Sequence, residues 1–325
     1  MDAPSNKGNL RPLNIFHDLP TVADIIETCF AGTLDTEGLA AIDNIRRRGS
    51  DKSFLAWAPR VIESVSLPLS GYVWEVNGKL VGNVSLIPYN RIGERHYLIA
   101  NVATLPEYRR QGIAQHLTES AIKKAIDQQA TTIWLQVRED NPGAIDLYKK
   151  LGFEVKYTNT SWNLPPDFKI TLLPPNDIIV KKSELVDWLK LRPQYEKIYP
   201  NELEWYYGFM IGNFMPGFWM DVQRFFRDER VVQHSAFENG NLKGGIAVRN
   251  VLGQPDHIYA TLPPQKNNNI LMSLLASLTG LVDYRKKQVF EFPPGEYDDA
   301  IFEAGFVKQR TLVWMKYKGS TNKVV

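Results

Sequence analysis

The sequence predicts an α/β protein built from two loosely repeated halves, each a mixed sheet with helices on both faces. Three observations carry this. The 325 residues correspond to about two domains at roughly 150 residues each. Landmarks of the first half return, in the same order, in the second. The first half also alternates segments in the order β-α-α-β-β-β-α-β-α-β, which lays helices against a sheet.

The repeat is read from three matches. Tyr72–Val76 leads through Asn77-Gly78 into Lys79–Leu86, and Ala236–Glu238 leads through Asn239-Gly240 into Asn241–Val248. Asn-Gly between alternating apolar runs is a strong hairpin signal. Gly240 minus Gly78 gives an offset of 162. Ala103-Thr104-Leu105-Pro106 returns as Ala260-Thr261-Leu262-Pro263, an offset of 157, and Gly152-Phe153 as Gly305-Phe306, an offset of 153. Each Gly-Phe precedes a final strand-like run, Val155–Leu164 and Thr311–Tyr317. The boundary is expected in the Pro-rich stretch Leu164–Asn176, giving domains 1–165 and 166–325.

In the first half, Leu10–Leu13 reads as a short strand. Asp18–Phe30 and Glu37–Arg48 read as helices, and Tyr97–Val102 as a strand after the hairpin. Gly112–Gln128 has Ala114, Leu117, Ala121, Ile122 and Ala125 at helical spacing. In Thr132–Val137 the apolar Ile133, Leu135 and Val137 alternate with Thr132, Trp134 and Gln136, and Pro142–Leu151 closes the pattern as a short helix.

Composition excludes several classes. Lys plus Arg is 38 against 36 for Asp plus Glu, a formal net charge of +2. That leaves no large excess for neutralising phosphates, so no nucleic-acid partner is expected. The one cysteine, Cys29, permits neither an intrachain disulfide nor a thiolate zinc cluster. Five histidines without paired spacing point away from a bound metal. The start lacks a secretory h-region, and no apolar run reaches 18 residues, so a cytoplasmic protein without a membrane partner is expected. Near-neutral charge gives no basis for choosing an acidic or basic substrate, and the oligomeric state is open.

The segment Val102–Ala114, VATLPEYRRQGIA, carries the chemistry. A strand ends, a polar turn follows, and a helix opens at a glycine and a small residue. Such a turn aims unpaired backbone N–H groups and the helix dipole at one spot, which suits a pyrophosphate. Gly112 lets the backbone approach closely, and Arg109 and Arg110 add positive charge. An ordinary strand–turn–helix connection with solvated arginines has the same spacing.

Arg109-x-x-Gly112-x-Ala114 resembles the acyl-CoA loop of the GNAT superfamily of N-acetyltransferases. A second landmark is Asn141–Phe153, NPGAIDLYKKLGF. The resemblance covers about residues 9 to 165 and implies tandem GNAT-like domains, each a mixed, mostly antiparallel sheet flanked by helices. It implies acetyl-CoA as co-substrate. Val102 and Thr104, beside Ala103, would bond the pantetheine arm through their backbone. Arg109 and Arg110 together with Gln111, Gly112, Ile113 and Ala114 would form the pyrophosphate loop. Asn141 would contact the cofactor arm, and Tyr148 would donate to the thioester sulfur. A phenol with a pKa of about 10 is a neutral donor at neutral pH and so can serve as general acid. Structural roles also fit: Asn141 before Pro142 is a good N-cap, and Tyr148 has the spacing of a core aromatic. A general base is not singled out. Glu139, Asp140, Glu94 and His96 are candidates, and an oxyanion would meet a strand N–H near Val102.

The second half departs from the loop pattern. With the Ala-Thr-Leu-Pro strings aligned, Arg109 falls on Lys266, Gly112 on Asn269 and Ala114 on Leu271. With Gly152 aligned on Gly305, Tyr148 falls on Ile301 and Asn141 on Pro294. Residues 166–325 therefore read as a degenerate GNAT-like domain without its own acetyl-CoA. Its aromatic run, Trp205–Met210 through Phe214, Phe218, Trp219 and Met220 to Phe225-Phe226, suits a core or domain seam, or else an acceptor pocket. The expected activity is transfer of an acetyl group to a primary amine, of a small molecule or a peptide, by direct attack in a ternary complex. A non-catalytic acyl-CoA-binding module and an aminoacyl-tRNA-dependent peptidyl transferase are the alternatives.

Overall fold

The computed structural model describes residues 8–34, 36–51, 53–54, 69–91, 93–172, 175–207 and 210–319. Two compact units divide it, one of residues 1–157 with 313–325 and the other of residues 158–312. Among the described residues no helix is long and apolar enough to cross a membrane.

In the first unit, β1 (Asn9–Pro12) pairs with β2 (Gly71–Val76), β2 with β3 (Lys79–Arg91) and β3 with β4 (Glu94–Thr104), all antiparallel. β5 (Thr132–Arg138) joins β4 in parallel. Helices α1 (Leu19–Cys29) and α2 (Thr36–Ser50) lie between β1 and β2 in the chain. Helix α3 (Ile113–Asp127) connects β4 to β5, and α4 (Pro142–Lys150) follows β5. The Asn-Gly turn forms as expected: Asn77 at φ 50° and Gly78 at φ 78° give the positive φ pair that matches strand twist. Val84, Leu86, Ile99, Leu117, Ala121, Ile133 and Leu135 fill the core.

The second unit repeats this plan. β7 (Ile178–Lys182), β8 (Glu229–Glu238), β9 (Asn241–Val251) and β10 (Asp256–Thr261) pair antiparallel in sequence, and β11 (Gln288–Phe292) joins β10 in parallel. Between β7 and β8 lie α5 (Leu185–Ile198), α6 (Glu204–Tyr207) and α7 (Phe218–Phe225). Helix α8 (Asn268–Ala276) connects β10 to β11, and α9 (Asp298–Glu303) follows β11. Ala236, Ile246, Val248, Ile270, Leu274, Phe290 and Phe306 form one core face, and Trp188, Leu191, Tyr195, Phe214 and Tyr259 the other.

The duplication holds at the level of single residues. The hairpin registers shift between Trp74 and Glu75 in one unit and between Ala236 and Phe237 in the other, the same step 162 residues on. A β-carbon at Gly82 would stand 3.0 Å from Cγ2 of Ile113 and 3.2 Å from Cδ1 of Leu117. At Gly244 it would stand 3.3 Å from Cγ2 of Ile270 and 3.5 Å from Cδ1 of Leu274. Both glycines let the connecting helix settle onto the sheet. The matching Ala-Thr-Leu-Pro strings, however, are one residue out of step with the ladders. Asn83 faces Ala103, whereas Gly245 faces Thr261 rather than Ala260. The turn into α8 is one residue shorter, which restores the 157 offset in the helices.

The divide between the units falls at Tyr157/Thr158, not in the Pro-rich stretch, part of which (173–174) lies outside the described residues. The cause is the final strands. β6 (Phe153–Leu164) begins in the first unit, but its Thr160–Leu164 pairs antiparallel with β11, and Trp162 and Leu164 belong to the second unit's core. The last strand, β12 (Val307–Tyr317), neighbours β5, and its Val313 and Met315 belong to the first unit's core.

Candidate active site

β4 and β5 run side by side from His96↔Thr132 to Ile99↔Leu135, and there the pairing stops. β4 continues five residues to Thr104 and β5 three to Arg138. No further β4–β5 pair follows among the described residues, so main-chain groups on the facing edges of the two strand ends are left without a cross-strand partner. Just past the last pair, β4 is bulged. Its register with β3 shifts between Ser85↔Ala100 and Asn83↔Ala103, and Asn101 has φ 52°. A bulge frees main-chain donors from the ladder and re-aims them. Asn101 Nδ2 donates to Ser85 Oγ at 3.1 Å, and Asn83 Nδ2 donates to Asn101 O at 3.0 Å, fixing the bulge from β3. The sequence did carry a signal here, since asparagine is poorly suited to a strand interior.

Val102, Ala103 and Thr104 end β4 as expected. Thr104 Oγ1 is buried without a hydrogen-bond partner, and Thr104 O accepts from Arg109 Nε at 3.2 Å. Arg109 is thus partly engaged in holding the strand end. It also lies beside the half-buried Cys29, whose thiol is pushed up by burial against the opposing effect of that guanidinium. A short 3₁₀ turn, Pro106–Tyr108, leads to Arg110 at φ 63° and Gly112 at φ 80°. For a side chain, this left-handed conformation costs about 1–2 kcal/mol, so the turn is held in shape. Gly112 is the N-cap of α3 and supplies no side chain to cap it. The first N–H groups of α3 therefore have no side-chain acceptor, and the positive end of the helix dipole is open beside exposed Arg110, Gln111 and Gly112. Ile113 is buried, so only its backbone faces the turn, and Ala114 keeps the first helical turn small. These residues fit a pyrophosphate.

Asn141 and Tyr148 sit on the helix that follows the neighbouring strand. Asn141 caps α4, its Oδ1 accepting from Ala144 N at 3.1 Å. Of its side chain, the NH₂ group is left for another partner. Tyr148 is buried with its ring edge-on to Phe153, centroids 6.1 Å apart. Among the described residues its hydroxyl has no hydrogen-bond partner. Burial pushes the phenol well above the usual tyrosine range, so it remains a proton donor.

The structure sorts the four base candidates. Glu94 and His96 pair with each other at 3.2 Å, and His96 Nδ1 meets Thr132 Oγ1 at 2.8 Å. Both begin β4, about 16 Å or more of strand away from the bulge, and burial pushes the imidazole down. Asp140 is held by Arg138 at 2.6 and 2.9 Å, a bond that keeps its carboxyl below the usual range. Glu139 is exposed at the open end of β5 and has no ion pair among the described residues.

The second unit closes both features. Its strands part after Ile258↔Phe290, but Tyr199 occupies the gap: Ala260 N donates to Tyr199 Oη at 3.0 Å, and Tyr199 Oη donates to Glu291 O at 2.9 Å. β10 follows β9 without a register shift, so the bulge is absent there. At α8, Asn267 Oδ1 accepts from Asn269 N at 3.1 Å and Ile270 N at 3.3 Å. Ile301, at the position of Tyr148, is fully buried.

The parallel pair β4–β5 thus ends beside a bulge, with the uncapped, glycine-led α3 beyond it. Residues 35–153 match the model of the acetyltransferase (GNAT) family, and the first unit carries that family segment. An uncharacterized N-acetyltransferase of Methanocaldococcus jannaschii is 36% identical over 98 residues, which are 28% of this chain and 42% of the relative. The [ribosomal protein bS18]-alanine N-acetyltransferase of Escherichia coli K12 is 43% identical over 53 residues, 16% of this chain and 36% of the relative. The chain thus spans less than half the length of these two relatives. A GCN5-related N-acetyltransferase from Sphaerobacter thermophilus matches over 97% of this chain and 96% of its own, with TM-score 0.51 and 16% identity. That likeness extends the fold across both units.

Proposed function

We propose that the chain is an acetyl-CoA-dependent N-acetyltransferase whose site lies in the first unit, residues 166–325 being a degenerate copy without a site of their own. The observation that carries this is the contrast between the open strand pair and uncapped α3 and the Tyr199-filled gap and Asn267-capped α8. Acetyl-CoA would supply an activated thioester. The N–H groups of Arg110 to Ala114, with the two arginine charges, would hold the pyrophosphate. Backbone groups of Val102 and Thr104 would align the pantetheine arm beside Ala103, and the Asn141 amide NH₂ would contact it. N–H groups freed at the bulge near Val102 would stabilise charge developing on the carbonyl oxygen. Tyr148 Oη would donate its proton to the departing sulfur, and Glu139 is the base candidate best placed to take a proton from the amine, directly or through water. The acceptor would be a primary amine on a small molecule or peptide.

Isothermal titration with acetyl-CoA, followed by a CoA-release assay over a panel of amines, tests this. One site per chain and amine-dependent release support it. Binding without release from any amine would favour a non-catalytic acyl-CoA-binding module. Tight aminoacyl-tRNA binding without CoA binding would favour peptidyl transfer.

A further inference from the structure

Helix α7 is amphipathic in the reverse sense. At 3.6 residues per turn, Phe218, Trp219, Val222, Phe225 and Phe226 share one stripe about 120° wide. That stripe faces outward: Phe218 is 73% exposed, Trp219 77%, Phe225 77% and Phe226 81%. The opposite face turns a charge inward. Arg224 is buried, donating to Asp221 Oδ1 at 2.7 Å, to Met215 O at 3.0 Å and to Asn213 O. Of these acceptors the carbonyls of Asn213 and Met215 lie outside the helix, and they fix its rotation with the aromatic face turned outward. Leu252 is also 77% exposed, and its N–H donates to Asp228 O at 3.3 Å just beyond the helix.

We propose that this face is the interface of a symmetric dimer, with a second copy of the chain as its occupant. Area argues for it. Aromatic side chains cover about 150–250 Å² each, so these four expose roughly 600 Å². A two-fold pairing would bury at most roughly 1,200 Å² from these aromatics, enough to reach the ~1,000 Å² that separates specific interfaces from casual contacts. Charge argues for a like partner. Exposed Asp221, Arg227, Asp228 and Arg230 alternate in sign along the helix and the residues that follow it, a mixed set of charges that can complement itself under two-fold symmetry. An anionic membrane would call for a basic rim instead. Aromatics at the centre with charges at the edge is the distribution found in binding hot spots.

Sedimentation velocity of the full chain from about 1 to 100 µM tests the proposal, alongside the double variant W219S/F225S and the control L189S. Leu189 is also exposed, at 54%, but lies on α5. The wild type and L189S are expected to shift reversibly from one-chain to two-chain species. The double variant is expected to stay monomeric at 100 µM, a loss of at least about 100-fold in affinity. Should its circular dichroism show misfolding, the single variant F226S carries the same test. A wild type monomeric throughout overturns the proposal, as does a double variant that dimerises like the wild type. Monomers that sediment with phosphatidylcholine–phosphatidylserine vesicles would overturn it in favour of a membrane surface.

Discussion

Asn267 accepts a hydrogen bond from the main-chain N–H of Ile270, and so the second unit satisfies internally a donor that the first leaves open. Replacing Asn267 by Ala should cost about 1 kcal/mol of stability through the lost cap. It should leave acetyl-CoA binding at one site per chain, because Tyr199 still fills the strand gap. Calorimetry that returns a second site in this variant would show that the cap alone had blocked it.

Gly112 is where binding is most exposed to a single change. A β-carbon there meets His116 at 3.4 Å, an ordinary contact, but φ 80° disfavours any side chain. Gly112→Val should weaken acetyl-CoA binding at least tenfold while lowering the melting temperature by only a few degrees. Equal affinity in titrations of variant and wild type would remove the loop from the site.

Tyr148→Phe removes a hydroxyl that has no hydrogen-bond partner among the described residues. Stability and acetyl-CoA affinity should hardly change, whereas kcat should fall about 100-fold or more if the phenol is the acid. Steady-state rates over a range of acetyl-CoA concentrations separate the two effects. An unchanged kcat assigns Tyr148 to packing alone.

Alkali should unfold this protein through its buried tyrosines. Burial raises the phenols of Tyr148, Tyr195, Tyr199, Tyr207 and Tyr259. Their pKa in the folded state lies above the unfolded value of about 10. Below pH 10 both states are protonated and the contribution is intact. Above it the unfolded chain loses protons first, so stability falls as pH rises. Urea midpoints measured from pH 8 to 11 should drop above about pH 10, with the tyrosinate absorbance of these five phenols appearing only at the unfolding transition. Tyrosinate absorbance corresponding to all fourteen tyrosines while the protein is still folded would contradict this.

Met315 tests the exchange of final strands. It is fully buried in the core of the first unit although it lies ten residues from the chain's end. Met315→Ala should cost about 2–5 kcal/mol and lower acetyl-CoA binding only through the unfolded fraction. A change below about 0.5 kcal/mol in urea unfolding would mean that the strand is not part of that core.

Much of this was legible because the signals were local. The two Asn-Gly turns need positive φ, and the sequence states that requirement in two letters. Gly112 before a small-residue helix start announced the uncapped turn. The Asn267 cap was equally local but was obscured by the string match that set Asn269 opposite Gly112. What sequence could not show depends on distant partners. The bulge at Asn101 is fixed by Asn83 and Ser85 on another strand. Tyr199 acts on Ala260 and Glu291, 61 and 92 residues away. The aromatic run also divided. Trp205 and Phe214 are buried, as a core reading expects, while Phe218, Trp219, Phe225 and Phe226 are not. Gly208 and Phe209 lie outside the described residues. The inversion of that helix is set by buried Arg224 and the carbonyls of Asn213 and Met215 that it reaches, and no periodicity records such contacts.

The exchange of final strands means that neither half of the chain, cut at the proline stretch, holds a complete fold. A fragment ending at residue 165 lacks the Val313 and Met315 that fill its core, and it leaves Trp162 and Leu164 without theirs. The first unit's core depends on β12, a strand reached only through the second half, so the second half has a structural use apart from any ligand site. Synthesis imposes the same dependence in time. The segment that would bind acetyl-CoA leaves the ribosome well before the strand that completes its core, so the first unit can finish folding only when translation has reached that last strand.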